Sequence, residues 1–179
     1  VIRQVVETFG HIDILVNNTA YQQTYSALEE LADDELERIS NTNIADTVEF
    51  CRAALKHLPP GGSIINTTSI EAVKPSNSLA PYAAAKATLA NFTATLAKEA
   101  LGRGVKVNGV APYLAKKPLK PSAFPTDNVP HFGVNTLFDR TAQPAEVAPI
   151  FVLLAYRAAS LFTGEIYDMT RDQFRKSLT

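Results

Sequence analysis

Tyr82 and Lys86 stand four positions apart in Tyr82-Ala83-Ala84-Ala85-Lys86, and Ser69 lies 13 residues before the tyrosine. On a helix, a four-residue spacing puts phenol and ammonium on one face, a turn apart. The ammonium is expected to favour the phenolate and so lower a tyrosine pKa that ordinarily lies near ~10. A serine hydroxyl beside such a pair can polarise a carbonyl or steady an alcohol while the tyrosine exchanges the proton. The three residues point to acid–base chemistry on a carbonyl/alcohol couple. Ordinary exposed helices also carry Tyr-x-x-x-Lys by chance, so the elements around the trio have to agree with it.

Those elements alternate. Helical patterns are expected near 1–9, 31–58, 79–102 and 144–159, and strands near 12–17, 63–69, 105–111 and 165–169. Ile12–Val16 is an aliphatic run between Gly10 and the pair Asn17-Asn18. Ser63–Ser69 is launched from the turn Pro59-Pro60-Gly61-Gly62, and Val105–Ala111 follows Gly102 and Gly104. Strands separated by helices argue for βαβ crossovers and a parallel sheet. The segment from Tyr113 to Gln143 is rich in proline and has no clear period. Loops of that length in compact domains are usually functional covers or irregular excursions.

On Leu15-Val16-Asn17-Asn18, Asn43, Ser69, Tyr82/Lys86, Val107-Asn108-Gly109-Val110-Ala111-Pro112 and Thr163-Gly164, the chain resembles the short-chain dehydrogenase/reductase family. The resemblance covers essentially residues 1–179, read as a single partial domain. It implies an α/β fold: a three-layer Rossmann-type parallel sheet, N-terminally truncated, with the first three strands and the Gly-rich phosphate loop absent. It also implies an NAD or NADP cofactor and an alcohol/carbonyl substrate. The catalytic set it implies is Asn43, Ser69, Tyr82 and Lys86. Tyr82 would be the general acid/base, and Lys86 would hold the nicotinamide ribose. Ser69 would orient the substrate oxygen, and Asn43 would interrupt its helix to hold a relay water. The implied cofactor contacts are Asn17, Asn18, Thr19, Ala20, Tyr82, Lys86, Pro112 and Tyr113. Residues 113–143 would form the substrate loop. Pro118–Pro125 and Phe132-Gly133 look like a branch similar to glucose/ribitol dehydrogenases.

The chain departs from the family pattern at cofactor contacts. Thr19-Ala20 stands where Ala-Gly is usual, Tyr113 follows Pro112 where glycine is usual, and Lys117 stands near an expected threonine. A Cβ or a ring at a position of close backbone approach works against the cofactor. No Gly-x-x-x-Gly-x-Gly pattern occurs, and apolar positions 2, 5, 6 and 9 before Gly10 read as a helix without a capping residue. The chain is therefore expected to begin inside a helix, to bind NAD(P) weakly, and to expose the Ile12–Val16 strand as an edge. The alternative is a catalytically inactive remnant that keeps only packing or assembly surfaces.

Composition sets outer bounds. With 179 residues, 46% hydrophobic content and a net charge of −1, the sequence offers a core and no basic footprint for nucleic acid or anionic membrane. No apolar run approaches the ~20 residues of a membrane span. No secretory signal is visible, and the lone Cys51 excludes an internal disulfide, so a cytoplasmic location is expected. Cys51 reads as a packing residue. His11, His57 and His131 are scattered, without an acidic partner at ligand spacing, and indicate no metal site. Asp33-Asp34-Glu35 reads as a helix first turn. Ser69 lacks a base at nucleophile-elbow spacing, which disfavours a hydrolase. The Tyr82 helix is rich in small residues (Ala83, Ala84, Ala85, Ala87, Ala90, Ala94 and Ala97), and the resemblance implies that it forms a homo-oligomer bundle with the 31–58 helix.

Overall fold

The computed structural model of the chain describes residues 1–112 and 140–169. Five α-helices and four strands alternate among them: α1 Ile2–Phe9, β1 Ile14–Asn17, α2 Asp33–Ser40, α3 Asp46–Ala54, β2 Ser63–Thr67, α4 Ala80–Ala100, β3 Lys106–Ala111, α5 Pro144–Ala155 and β4 Ile166–Asp168. The strands form one sheet in the order β1-β2-β3-β4, every pair parallel.

The register puts Leu15, Ile64 and Val107 in one row. With Ile2, Cys51, Ala54, Leu96 and Ala97 they make the larger core cluster, under α1, α3 and α4. Successive strand residues point to opposite faces. Ile65 and Val110 accordingly face the other way and pack with Leu154 of α5. Both faces of the two central strands are covered, which is why β2 and β3 are buried along their whole length. β1 is an edge of the sheet. Its Ile14 and Val16 fall in register with Ser63 and Ile65, on the face that α5 covers further in, and remain 44% and 45% exposed.

Element ends have local causes. α1 stops at Gly10, whose φ of 82° lets its N–H close on the Val6 carbonyl at 2.8 Å. α2 opens on Asp33, Asp34 and Glu35, negative charge at the positive end of the helix dipole. α5 opens on a reciprocal capping box between Gln143 and Glu146, with Pro144 in its first turn. Its other end is held by Lys106, which is only 5% exposed and whose Nζ donates to the carbonyls of Leu154 (3.0 Å), Tyr156 (2.8 Å) and Ala159 (3.4 Å). Burial lowers the pKa of this lysine, and the carbonyl cluster compensates for its lost hydration.

The elements are shorter than the sequence patterns suggest. The helix expected at 31–58 is divided: Asn41–Ala45 is a π-helical turn between α2 and α3, and α3 ends well before Pro59. The strand expected at 63–69 ends at Thr67, so Ser69 lies beyond it. The pattern at 12–17 yields a strand only from Ile14. The helix expected at 144–159 stops at Ala155, where Tyr156 is extended and Lys106 takes the freed carbonyls. The proline-rich stretch lies outside the described residues, except for its last four positions. Among the described residues no helix is long and apolar enough to cross a membrane.

A buried polar knot joins the layers. Asn66 on β2 accepts from Asn17 Nδ2 of β1 at 2.9 Å and donates to Thr93 Oγ1 of α4 at 2.9 Å. Removing it leaves Asn17 Nδ2 with only the weak acceptor Cys51 Sγ and takes a donor from the buried Thr93 Oγ1. Asn66→Ala should lower stability by about 2–3 kcal/mol, read as a drop in the urea midpoint; an unchanged midpoint would show that the knot carries no net stability.

Candidate functional site

The site lies at the carboxyl ends of β1–β3, where open parallel sheets place ligands. α4 buries a stripe of Tyr82, Lys86, Leu89, Thr93, Leu96 and Ala100, a heptad-like spacing against the sheet. A lysine within an apolar stripe needs a partner. Lys86 is 1% exposed, and its Nζ donates to the Thr67 main-chain carbonyl, the last residue of β2, at 2.8 Å. The same nitrogen lies 5.6 Å from the Tyr82 ring centroid.

After Thr67 the chain leaves the sheet. Thr68 donates N–H and hydroxyl to the Val110 carbonyl at 2.8 and 3.0 Å. Ser69 is extended and caps a short 3-10 turn at Ile70–Ala72, its Oγ accepting the Glu71 N–H at 3.2 Å. That leaves its O–H to donate, and its side chain lies close enough to Tyr82 to favour the phenolate. The buried Glu71 carboxylate accepts from the N–H and hydroxyl of Ser76 at 2.7 and 2.8 Å, tying down the loop that leads into α4.

Ser69, Tyr82 and Lys86 are thus brought together, but the expected sign of the tyrosine shift is reversed. Burial pushes the Tyr82 phenol up to about 12, the Ser69 side chain pulls it back in part, and the Glu71 charge pushes it further up. Helical spacing shows which side chains are adjacent; it does not show that the pair is taken out of water, and here desolvation of the phenolate dominates. The resting phenol is protonated at neutral pH.

Asn43 sits in the π-helical turn, where the Asp46 N–H reaches back to the Asn41 carbonyl. The helix is interrupted there, as expected. The Asn43 side chain is fully buried, and its Nδ2 donates to the carbonyls of Ile39 (2.8 Å) and Tyr21 (2.7 Å). Its Oδ1 faces the Tyr21 N–H at 3.4 Å. The amide is occupied in holding the loop after β1, so both of its donors are taken.

The expected cofactor contacts divide. Asn17 is turned into the fold, its Nδ2 on Asn66 and 3.3 Å from Cys51 Sγ. Asn18 accepts the Thr67 hydroxyl at 3.0 Å, so Asn18 and Lys86 meet on the same residue. Asn18 and Thr19 are exposed and Ala20 half-buried. Pro112 is buried, its carbonyl accepting the Ile70 N–H at 3.4 Å. Tyr113 and Lys117 lie outside the described residues. Cys51 is fully buried, and burial pushes its thiol up to about 12, as befits packing. His11 does have an acidic neighbour, Asp13 at 3.0 Å on the surface, and among the described residues no third ligand joins them.

Neither the Thr67 carbonyl nor the Tyr21 backbone is legible in the sequence, because main-chain groups leave no residue-type signal. The position of Thr67, two residues before Ser69, is the only pointer to it.

Residues 1–170 match a family model described as enoyl-(acyl carrier protein) reductase, a short-chain dehydrogenase/reductase model. The chain belongs to the short-chain dehydrogenase/reductase family. It is 43% identical over 167 residues to NADPH-dependent aldehyde reductase 1, chloroplastic, of Arabidopsis thaliana, covering 93% of this chain and 58% of that protein. It is 42% identical over 166 residues to glucose and ribitol dehydrogenase of Daucus carota, covering 93% and 57%. The chain therefore spans under three-fifths of the length of these curated relatives. A dehydrogenase/reductase of Sinorhizobium meliloti superposes with a TM-score of 0.86 at 28% identity, covering 93% of this chain and 66% of that one. Family members of this kind are oxidoreductases.

The raised phenol makes stability depend on alkaline pH. The folded state holds its proton more tightly than the unfolded chain, so this stability is complete below pH ~10 and is lost as pH rises towards 12. Tyr82→Phe should flatten the fall in thermal midpoint across that window, leaving the smaller contributions of Tyr21 and Tyr167, which are also raised. An equally steep fall in the variant would contradict the burial argument.

Proposed function

We propose that this site interconverts an alcohol and a carbonyl with NAD or NADP, Tyr82 handling the proton. The observation that carries the proposal is the buried Lys86 ammonium on the Thr67 carbonyl, beside the Tyr82 phenol, whose acidity the neighbouring Ser69 side chain raises. When bound, the nicotinamide cofactor supplies or accepts the hydride. The residues present fit its nicotinamide end: Asn18, Lys86 and Pro112 converge at the carboxyl ends of β1–β3. The 179 residues hold no Gly-rich phosphate loop, so for this stretch taken by itself affinity rests on the nicotinamide end.

In carbonyl reduction, the protonated Tyr82 hydroxyl gives its proton to the substrate oxygen as negative charge develops there. Ser69, its Oγ already held by the Glu71 N–H, donates to the same oxygen and fixes its position. Lys86, its Nζ 5.6 Å from the Tyr82 ring centroid, would stabilise the phenolate left behind. In the oxidative direction Tyr82 must first lose its proton, which its burial opposes, so the arrangement favours reduction at neutral pH. Asn43 holds the loop after β1 through its side chain, so a proton relay past it would use main-chain carbonyls of the widened turn. A polyol or sugar aldehyde is the substrate class that the relatives' names suggest for this chain.

The test is reduction of an aldehyde with NADPH or NADH, followed with pH. Turnover should hold through neutral pH and fall only in the alkaline range. Tyr82→Phe should lower kcat/KM at least ~10²-fold while circular dichroism stays unchanged, and Lys86→Met, which also displaces the turn carrying Tyr82, should lower it at least as far. Full activity of Tyr82→Phe would refute the assignment. Cofactor fluorescence with the isolated 179-residue chain should show binding far weaker than micromolar; micromolar affinity of that chain would contradict the account of the phosphate end.

A further inference from the structure

Gln22 is 3% exposed, and its side-chain Nε2 has no hydrogen-bond partner among the described residues. A buried amide donor left unmade is unfavourable, and native folds rarely keep one without a use. The loop that carries it is pinned on both sides. Immediately before it, Tyr21 is held through its N–H and carbonyl by the Asn43 side chain. Three residues after it, the Tyr25 hydroxyl accepts the Ala80 N–H at 3.0 Å, at the first residue of α4 and two residues ahead of Tyr82. Gln22 therefore sits on an anchored segment between the widened turn at Asn43 and the turn that carries Tyr82.

We propose that Gln22 is a specificity-determining residue whose Nε2 donates to a second oxygen of the substrate, one that is not the reacting oxygen. The inference rests on the alcohol/carbonyl reading above and narrows it to polyhydroxylated aldehydes and polyols. A carboxamide is neutral. It matches a hydroxyl or carbonyl oxygen, offers no charge to a carboxylate or phosphate, and is ill suited to an alkyl chain. A polar group built to meet a substrate hydroxyl discriminates against analogues that lack it, because the group then stays unpaired. In the ligand-free protein the same amide is a cost to the fold.

The experiment uses the 179-residue chain labelled with ¹⁵N and titrated with ribitol and, separately, with 1-butanol, an alcohol without further hydroxyls. Ribitol should shift the Gln22 side-chain amide resonances together with the Ser69 and Tyr82 signals; 1-butanol should move Ser69 and Tyr82 only. Gln22→Leu should weaken ribitol binding about tenfold and leave 1-butanol binding unchanged. With its unpaired amide gone, that variant should also melt about 2–4 °C higher without ligand. Gln22→Met, unbranched and similar in length, serves where leucine does not fit. Ribitol moving Ser69 while the Gln22 amide stays still would overturn the proposal alone. A lower melting point in both variants would also overturn it, since the amide would then be satisfied within the fold. Neither alcohol moving Ser69 or Tyr82 would overturn the alcohol/carbonyl reading, and this proposal with it.

Discussion

The structure depends on one buried charge. Lys86 lies in the apolar stripe of α4 and meets the carbonyl of Thr67, the last residue of β2. An ammonium taken out of water is tolerated only where oxygen atoms replace its hydration. The end of a parallel strand supplies such an oxygen, because its last carbonyl has no ladder partner to its carboxyl side. That contact fixes how far α4 is turned and how it is set along the sheet. Tyr82, one turn earlier on the same face, is thereby delivered beside Ser69. The Thr67 hydroxyl meanwhile takes Asn18, so a single residue holds both the helix and the loop after β1.

The same burial that orders the site sets its chemistry. A phenol screened from water resists ionisation, and Glu71 adds to that resistance. Glu71 is kept there by a structural task, since its carboxylate secures Ser76 while its N–H holds Ser69. Order is gained at some expense in acidity. The outcome is a proton donor at rest, poised for an oxygen that is about to carry negative charge.

Much of this is legible in the sequence, for physical reasons that differ by element. The strands show through because both faces of β2 and β3 are covered, which favours aliphatic residues at successive positions, as at Ile64-Ile65 and Val110-Ala111. Lys106 interrupts that pattern unseen: its charge reads as surface until α5 is found ending above it. The break at Asn43 follows from family resemblance; that its amide is occupied with Tyr21 does not, because partners 22 residues apart leave no periodic trace. Ser69 reads as the close of a strand, since Thr67-Thr68-Ser69 continues the β-favouring run. It is in fact the cap of the turn that follows. The direction of the Tyr82 shift is hidden from the sequence for the most basic reason: spacing encodes neighbours, and burial is a property of the whole fold. Gln22 carries no signal at all in the sequence, being one polar residue in a polar loop.

The central claim is that the Lys86–Thr67 contact places Tyr82 against Ser69. A crystal structure of the Lys86→Met variant tests it most directly. The account predicts that the first turn of α4 shifts and that Tyr82 moves away from Ser69. An unchanged Tyr82–Ser69 pair in that variant would contradict it, and would move the origin of the site's geometry from the buried charge to the loop through Glu71 and Ser76.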